Sequence, residues 1–172
     1  YTGMASGFDM TAAEAVLQVR ERYEGIKLIA AVPFRKQPLW FEAEDRLLYA
    51  RLLERMDRVV MVSENYHKGC YLRRDEYMVR KADVIVAYWD LVPKGGTFYT
   101  VSKALECGKP VIMAGGLGPD NVAEAIEQCK PYGVDSLTKT SIKYDGGYME
   151  KDIDKVRQFC INADAAAAKI GQ

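Results

Sequence analysis

The sequence predicts an α/β fold: a three-layer, Rossmann-like or doubly wound, mostly parallel sheet with helices on both faces. Three observations carry this. Near-continuous apolar runs rich in β-branched residues recur along the chain, as in strands buried on both faces. Between them lie stretches with apolar residues at three- and four-residue spacing, the period of a helix lying on a sheet. Where strand-like runs feed helical ones the chain is glycine-rich, as strand-to-helix turns in such folds require.

Taken in order, "YTGMASGFDM" reads as the end of a strand and the loop after it. A further βα unit is therefore expected before Tyr1, which makes the chain a fragment, a permutation or an engineered product. Thr11 to Tyr23 has helical spacing, and "KLIAAVPF" (Lys27 to Phe34) is a strand. Helix follows over Glu42 to Met56, strand over Arg58 to Ser63, and helix over Arg73 to Lys81. "VIVAYWD" (Val84 to Asp90) is the next strand, then a helix over Thr97 to Cys107 and a strand over Pro110 to Gly115. Asp120 to Cys129 is helical, Gly133 to Lys139 is a weaker fifth strand, and the tail from Lys151 is a helix. Its apolar face would comprise Ile153, Val156, Phe159 and Cys160.

A chain of 172 residues suits one α/β domain, or one with a short appendage. Lys plus Arg and Asp plus Glu number 24 each, so no net field favours a polyanion, and nucleic acid is not an expected partner. Apolar runs are too short to span a bilayer. Cys70, Cys107, Cys129 and Cys160 form no CxxC pair, so reduced thiols, no metal and a cytoplasmic location are expected.

Three glycine loops fall at the edge where open parallel sheets bind ligands: "TGMASGFD" (Thr2 to Asp9), "PKGGTFYT" (Pro93 to Thr100) and "AGGLGPDN" (Ala114 to Asn121). Glycine lets backbone N–H groups approach an anion, and the following helix adds a favourable dipole. A phosphate-bearing ligand follows from this, although glycine also serves tight turns. Neither GxxxxGK[ST] nor GxGxxG occurs. The candidate phosphate- or nucleotide-binding residues are Gly3, Gly7, Asp9, Gly95, Gly96, Thr97, Thr100, Gly115 and Gly116, with Arg73 or Arg74 adding charge and Asp90 orienting a sugar or base. Asp90 suits a turn cap equally well. Trp89 and Tyr88 alternate across their strand, one for the core and one for a pocket wall. His67, the one histidine, lies in a polar loop with no partner identifiable from sequence and reads as a surface residue. Cys70 lies near two arginines, but nucleophilic chemistry is not expected of it.

"YTGMASGFDMTAAEAVL", "KLIAAVPF", "YHKGCYLRRDEYMVRKADVIVAYWD" and "GGTFYTVSKALECGKPV" together resemble the SLOG superfamily, in the branch with a GMA-x-G-x-D loop. The resemblance covers residues 1–112 and implies a Rossmann-like sheet lacking its first βα unit. It also implies a nucleotide or NAD-derived ligand at Gly3 to Asp9 and Gly95 to Thr100, and a homodimer. Arg74 and Met78 are similar to the first motif of the cytokinin-activating phosphoribohydrolases in that superfamily. Their second motif carries a glutamate, which "TFYTVSKA" lacks.

"PVIMAGGLGPDNVAEAIEQCKPYGVDSLTKTSIKYDGGYMEKDIDKVRQFC" resembles the last two βα units of phosphoribosylanthranilate isomerase, a (β/α)₈ barrel. Residues 108–172 are thus expected to be a barrel-derived βαβα segment completing the same sheet. Gly115 and Gly116 match that family's first phosphate loop. In the second loop Lys139 and Thr140 stand where small residues are usual. The family's catalytic strands lie outside the resemblance, so isomerase activity is not expected. The two resemblances meet within "ALECGKPVI" (Ala104 to Ile112), which points to a chimera.

The reading that follows is binding of a phosphate-containing small molecule without efficient catalysis and with no other cofactor. Two alternatives stand beside it. One is an N-glycosidase acting on a nucleoside monophosphate, with Glu76 or Asp75 as its acid. The other is an engineered chain whose designed property is folding and whose sites are vestigial.

Overall fold

Thr2 is the first residue to join a ladder. Its N–H donates to Ile29 O at 3.0 Å and its carbonyl accepts from Ala31 N at 2.8 Å, making an isolated parallel bridge with Ala30. The strand end expected at the N-terminus is therefore present as a single bridge. The structure, a computed structural model, describes residues 1–171 and is α/β, with parallel ladders and six α-helices. It comprises two compact units, Tyr1–Ala82 and Asp83–Gln172.

In the first unit, α1 (Phe8–Arg20), β1 (Ile29–Phe34), α2 (Ala43–Glu54), β2 (Arg58–Ser63) and α3 (Cys70–Lys81) follow in order, with a 3₁₀ turn at Gln37–Trp40. β1 and β2 pair in parallel, from Ile29 opposite Arg58 to Phe34 opposite Ser63. Past Ile29 every residue of β1 is buried, as expected of a strand covered on both faces. Met10, Ala13 and Leu17 of α1 meet Ala30 and Val32 of β1 and Tyr49 and Leu52 of α2 in one apolar cluster. Burial pushes the Tyr49 phenol up to about 12. α1 starts three residues before its periodic stretch. Gly7, at φ 90°, makes the turn into it, and Asp9 in the first turn suits the helix dipole.

Asp57 joins the turn before β2 to the start of β1. Its carboxylate accepts from Leu28 N at 2.7 Å and from Arg20 Nη1 at 2.8 Å. These bonds, the Leu28 amide first, hold its pKa below the ordinary carboxylate value. A group with a depressed folded-state pKa stabilises the fold above its unfolded pKa, and that contribution is lost as pH falls through the folded value. Urea unfolding between pH 7 and pH 3 should therefore show a shallower acid decline in Asp57→Asn than in the parent chain.

The second unit contains β3 (Ile85–Tyr88), α4 (Gly95–Glu106), β4 (Val111–Ala114), α5 (Val122–Cys129), β5 (Gly133–Val134), β6 (Ser141–Lys143), β7 (Met149–Lys151) and α6 (Ile153–Lys169). The order β3-β4-β5 is parallel throughout, with Ile85 opposite Val111 and Ile112 opposite Gly133. β3 alternates, with Ile85 and Ala87 buried and Val86 and Tyr88 exposed. This corrects the expectation of strands buried on both faces: β3 has one covered face, and β2 is also partly exposed.

β5 stops at Val134 instead of reaching Lys139 because hydroxyls redirect the chain. Ser136 Oγ donates to Leu117 O at 2.6 Å and Ser141 Oγ to Leu137 O at 2.6 Å, around a 3₁₀ turn at Thr138–Thr140. The antiparallel hairpin of β6 and β7 lies outside the expected elements. It turns at Gly146 and Gly147, both at positive φ. The "DGG" within "SIKYDGGYMEK" was the available signal. α6 is capped by Asp152, which accepts from Lys155 N at 3.1 Å. Its inner face is also corrected: Phe159 and Ala166 are buried, whereas Ile153 and Cys160 are exposed, because α5 lies against the line through Val156, Phe159, Ala163 and Ala166.

All four cysteines are free thiols, with Cys70 and Cys129 buried and Cys107 and Cys160 exposed. Burial pushes the Cys129 thiol up to about 11. Iodoacetamide at pH 8 should therefore alkylate Cys107 and Cys160 in the native protein and spare Cys70 and Cys129, as read by peptide mass spectrometry. No helix among the described residues is long and apolar enough to cross a membrane.

Candidate functional site

The loop between Thr2 and α1 is organised from below by Arg74 of α3. The Arg74 guanidinium donates from Nη1 to Gly3 O, and from Nε to Asp75 Oδ1 at 2.6 Å. It also lies 3.8 Å from Asp9 Oδ2. Asp9 in turn accepts from Ala5 N at 3.1 Å, and its carbonyl accepts from Thr2 Oγ1 at 2.9 Å. Gly3, Asp9 and Arg74 are thus brought together. Arg74 and Asp75 are both buried, so this guanidinium is engaged with the loop's own carbonyl and carboxylates. Arg73, the next residue on the helix, is exposed, as the 100° step between neighbours dictates. A side chain at Gly3 would come within 2.7 Å of both Arg74 Cζ and Asp9 Oδ2.

In the second unit the loops after β3 and β4 are neighbours because their strands pair, and Trp89 N donates to Ala114 O at 3.0 Å. Asp90 accepts from Val92 N at 3.1 Å, which is the turn-cap geometry. Trp89 is buried with its Nε1 on Val92 O, while Tyr88 is exposed. Gly95, Gly96 and Thr97 open α4, are exposed, and have no side-chain cap. Thr100 Oγ1 donates to Gly96 O at 2.9 Å, so its hydroxyl is occupied within the helix.

Gly115 and Gly116 have φ 113° and 63°. Asn121 closes their loop, accepting from Gly118 N at 2.8 Å and donating to Gly116 O at 3.2 Å. This loop packs against the segment after β5, where a Cβ on Gly118 would meet Lys139 Cβ at 2.8 Å. Beside it lies a hollow of about 460 Å³ lined by Pro119, Asp120, Thr138, Lys139, Ser141 and Lys155. Lys155 pairs with Asp152 at 3.2 Å, and Lys139 is exposed. Thr140 is buried, its hydroxyl held by Lys151 Nζ at 3.0 Å. Sequence reasoning reached Lys139 but not Lys155, Thr138, Ser141 or Asp120. Asp120 lies just before α5, Thr138 and Ser141 in and just after the 3₁₀ turn that follows β5, and Lys155 in the first turn of α6, so no single sequence pattern joins them.

One pair was missed altogether. Ser63 closes β2, and its Oγ lies 3.0 Å from His67 Nε2, while His67 Nδ1 lies 3.0 Å from Lys68 O. The hint was a serine at the end of a strand four residues before a histidine.

Comparison with known proteins gives two family matches that overlap in the middle of the chain. The model of the YspA SLOG family matches residues 1–112, and that of N-(5'phosphoribosyl)anthranilate (PRA) isomerase matches residues 76–162. The N-(5'-phosphoribosyl)anthranilate isomerase of Trichlorobacter lovleyi is 47% identical over 64 residues, covering 37% of this chain and 29% of its own. That of Geotalea daltonii is 43% identical over 89 residues, covering 49% and 40%. The uncharacterized SPbeta prophage-derived protein YoqJ of Bacillus subtilis is 29% identical over 101 residues, covering 52% and 59%. The chain thus spans well under two thirds of the length of these isomerases. β3, α4 and the start of β4 fall within both matches, and a βαβ unit acceptable to either parent is where two α/β chains can be joined with least disturbance to packing. The chain therefore belongs to the YspA SLOG family through residues 1–112 and to the N-(5'phosphoribosyl)anthranilate (PRA) isomerase family through residues 76–162, as a two-segment chimera.

Proposed function

We propose that the chain binds a phosphate-bearing small molecule at the glycine loops that follow its strands, and that these loops hold the ligand without transforming it efficiently. The observation that carries this reading is the hollow between the Gly115–Asn121 loop and the segment after β5. Two lysines, Lys139 and Lys155, line it together with Thr138, whereas the Ser141 hydroxyl in the same lining donates to Leu137 O. Ammonium and hydroxyl donors at the carboxyl edge of a parallel sheet match a phosphate dianion. Asp120 in the same lining is an acceptor suited to sugar hydroxyls. Isomerases similar to this segment are named for a phosphoribosyl substrate, and SLOG resemblance favours a nucleotide or NAD-derived compound.

The test is calorimetric titration with inorganic phosphate, AMP and ADP-ribose. Binding of at least one is expected, weakened about tenfold or more by Lys139→Ala, the scale of a lost charge-assisted hydrogen bond. Absence of heat with all three at millimolar concentration, or affinity indifferent to both Lys139→Ala and Lys155→Ala, would refute the proposal. No ribose 5-phosphate should be released from AMP during the titration.

A further inference from the structure

We infer that Ser63 and His67 form a nucleophile and general-base pair able to cleave a small aromatic carboxylic ester. The hydrogen bonds determine the arrangement. Lys68 O can only accept, so Nδ1 of a neutral His67 carries the ring proton and donates to it. Nε2 is then the lone-pair nitrogen, and at 3.0 Å it accepts from the Ser63 hydroxyl. A hydroxyl donating to an imidazole whose far nitrogen is fixed by an acceptor is the arrangement that activates serine for acyl transfer, with a backbone carbonyl as the orienting group. The carboxylate next to Ser63 in the chain is otherwise engaged, since Glu64 accepts from Arg35 Nε at 2.7 Å and Nη2 at 3.2 Å.

Placement and surroundings suit a substrate. Ser63 ends β2, on the carboxyl edge of a parallel ladder, and both it and His67 are partly open to solvent. Its ladder partner Phe34 centres an aromatic group: Trp40 at 5.3 Å, Tyr66 at 5.4 Å and Tyr71 at 5.7 Å between ring centroids. Trp40 is 60% exposed and Tyr66 56% exposed, so the aromatic group around the ladder partner of Ser63 presents accessible ring surface to an apolar acyl or aryl group. α3 begins at Cys70 without a side-chain cap, and the Cys70 amide donates to His67 O at 3.1 Å, which ties the His67 backbone to the start of the helix.

In the first step Ser63 Oγ bonds to the ester carbonyl carbon as its proton passes to His67 Nε2. The ester C–O bond then breaks, and the alcohol departs with that proton. Water next adds to the acyl-serine, giving its proton to Nε2. The bond from Ser63 Oγ to the acyl carbon then breaks, Oγ recovers the proton from Nε2, and the carboxylic acid is released.

The full chain is to be treated with 4-nitrophenyl acetate and, separately, with an alkyl fluorophosphonate. Expected results are an early release of 4-nitrophenolate approaching one per chain, phosphonylation mapping to Ser63, and loss of both in Ser63→Ala. His67→Gln should slow both about 100-fold or more, the scale of lost general-base assistance. Thermal unfolding of each variant checks the fold. Ser63→Cys provides an internal comparison, because a thiol paired with His67 should be alkylated by iodoacetamide at pH 6.5 faster than Cys107 and Cys160 of the same chain. Retention of ester cleavage within twofold in folded Ser63→Ala, labelling elsewhere, or an introduced thiol in Ser63→Cys no faster than those two cysteines would each overturn the inference.

Discussion

Replacing Arg74 by alanine is expected to destabilise the first unit by about 3–5 kcal/mol, the cost of removing one partner from a buried ion pair. The guanidinium is 8% exposed and the Asp75 side chain 4%, so the pair sits where water cannot substitute for the missing charge. Three groups lose a donor or counter-charge together: Gly3 O, Asp75 and, at 3.8 Å, Asp9. Asp9 also holds the Ala5 amide, so the damage spreads along the loop that leads into α1. Urea unfolding with an unchanged slope should report the loss as a shift in midpoint. The control is Arg74→Met with Asp75→Leu, which removes both charges and keeps apolar volume. It should recover much of the loss, because the cost lies in an uncompensated charge. If Arg74→Ala costs less than about 1 kcal/mol, in the range of a surface pair, the cluster is not the support described. The result also governs how ligand experiments are read, because weakened nucleotide binding in Arg74→Ala would follow from a disordered loop without direct contact between Arg74 and phosphate.

Much of this architecture was legible in the sequence because period and composition report burial. Arg58 to Ser63 reads as a strand and is one, and Cys129 closes a helix where its periodicity ends. Elements set by side-chain-to-backbone bonds were not legible. No periodicity announces that Ser136 and Ser141 will end β5 early, or that Lys151 Nζ will reach Ser136 O at 3.0 Å and Thr140 Oγ1 at 3.0 Å to hold the hairpin. The candidate site divides in the same way. Glycine loops at strand ends were visible as residue types, whereas the engagement of Arg74, the capping by Asp90 and the meeting of Ser63 with His67 depend on distances between side chains. In each case one residue type served two roles, and geometry selected between them.

Gly115→Ala tests the turn just past the span that both family matches cover, and should cost the second unit about 2–6 kcal/mol, the sum of a backbone and a packing penalty. Gly115 has φ 113°, outside the regions open to an L side chain, and holding alanine there costs about 1–3 kcal/mol. Space is also short: an added Cβ would lie 3.0 Å from Trp89 N, 3.1 Å from Trp89 O and 3.2 Å from Tyr88 Cδ2. Two of these neighbours are backbone atoms of the strand end that bonds Ala114 O, so relief requires shifting the β3–β4 ladder, at about 1–3 kcal/mol for overpacking. Gly116 is the matched control one residue on. It has φ 63° and open space where an added methyl would sit, so Gly116→Ala should cost only the left-handed penalty of about 1–2 kcal/mol. Equal losses from the two substitutions, measured by urea unfolding, would mean that backbone conformation alone decides and that the close approach to Trp89 contributes nothing. A loss at Gly115 more than about 2 kcal/mol above that at Gly116, beyond what the two backbone conformations alone can account for, locates the constraint in the packing of the loop after β4 against β3, which lies within both family matches.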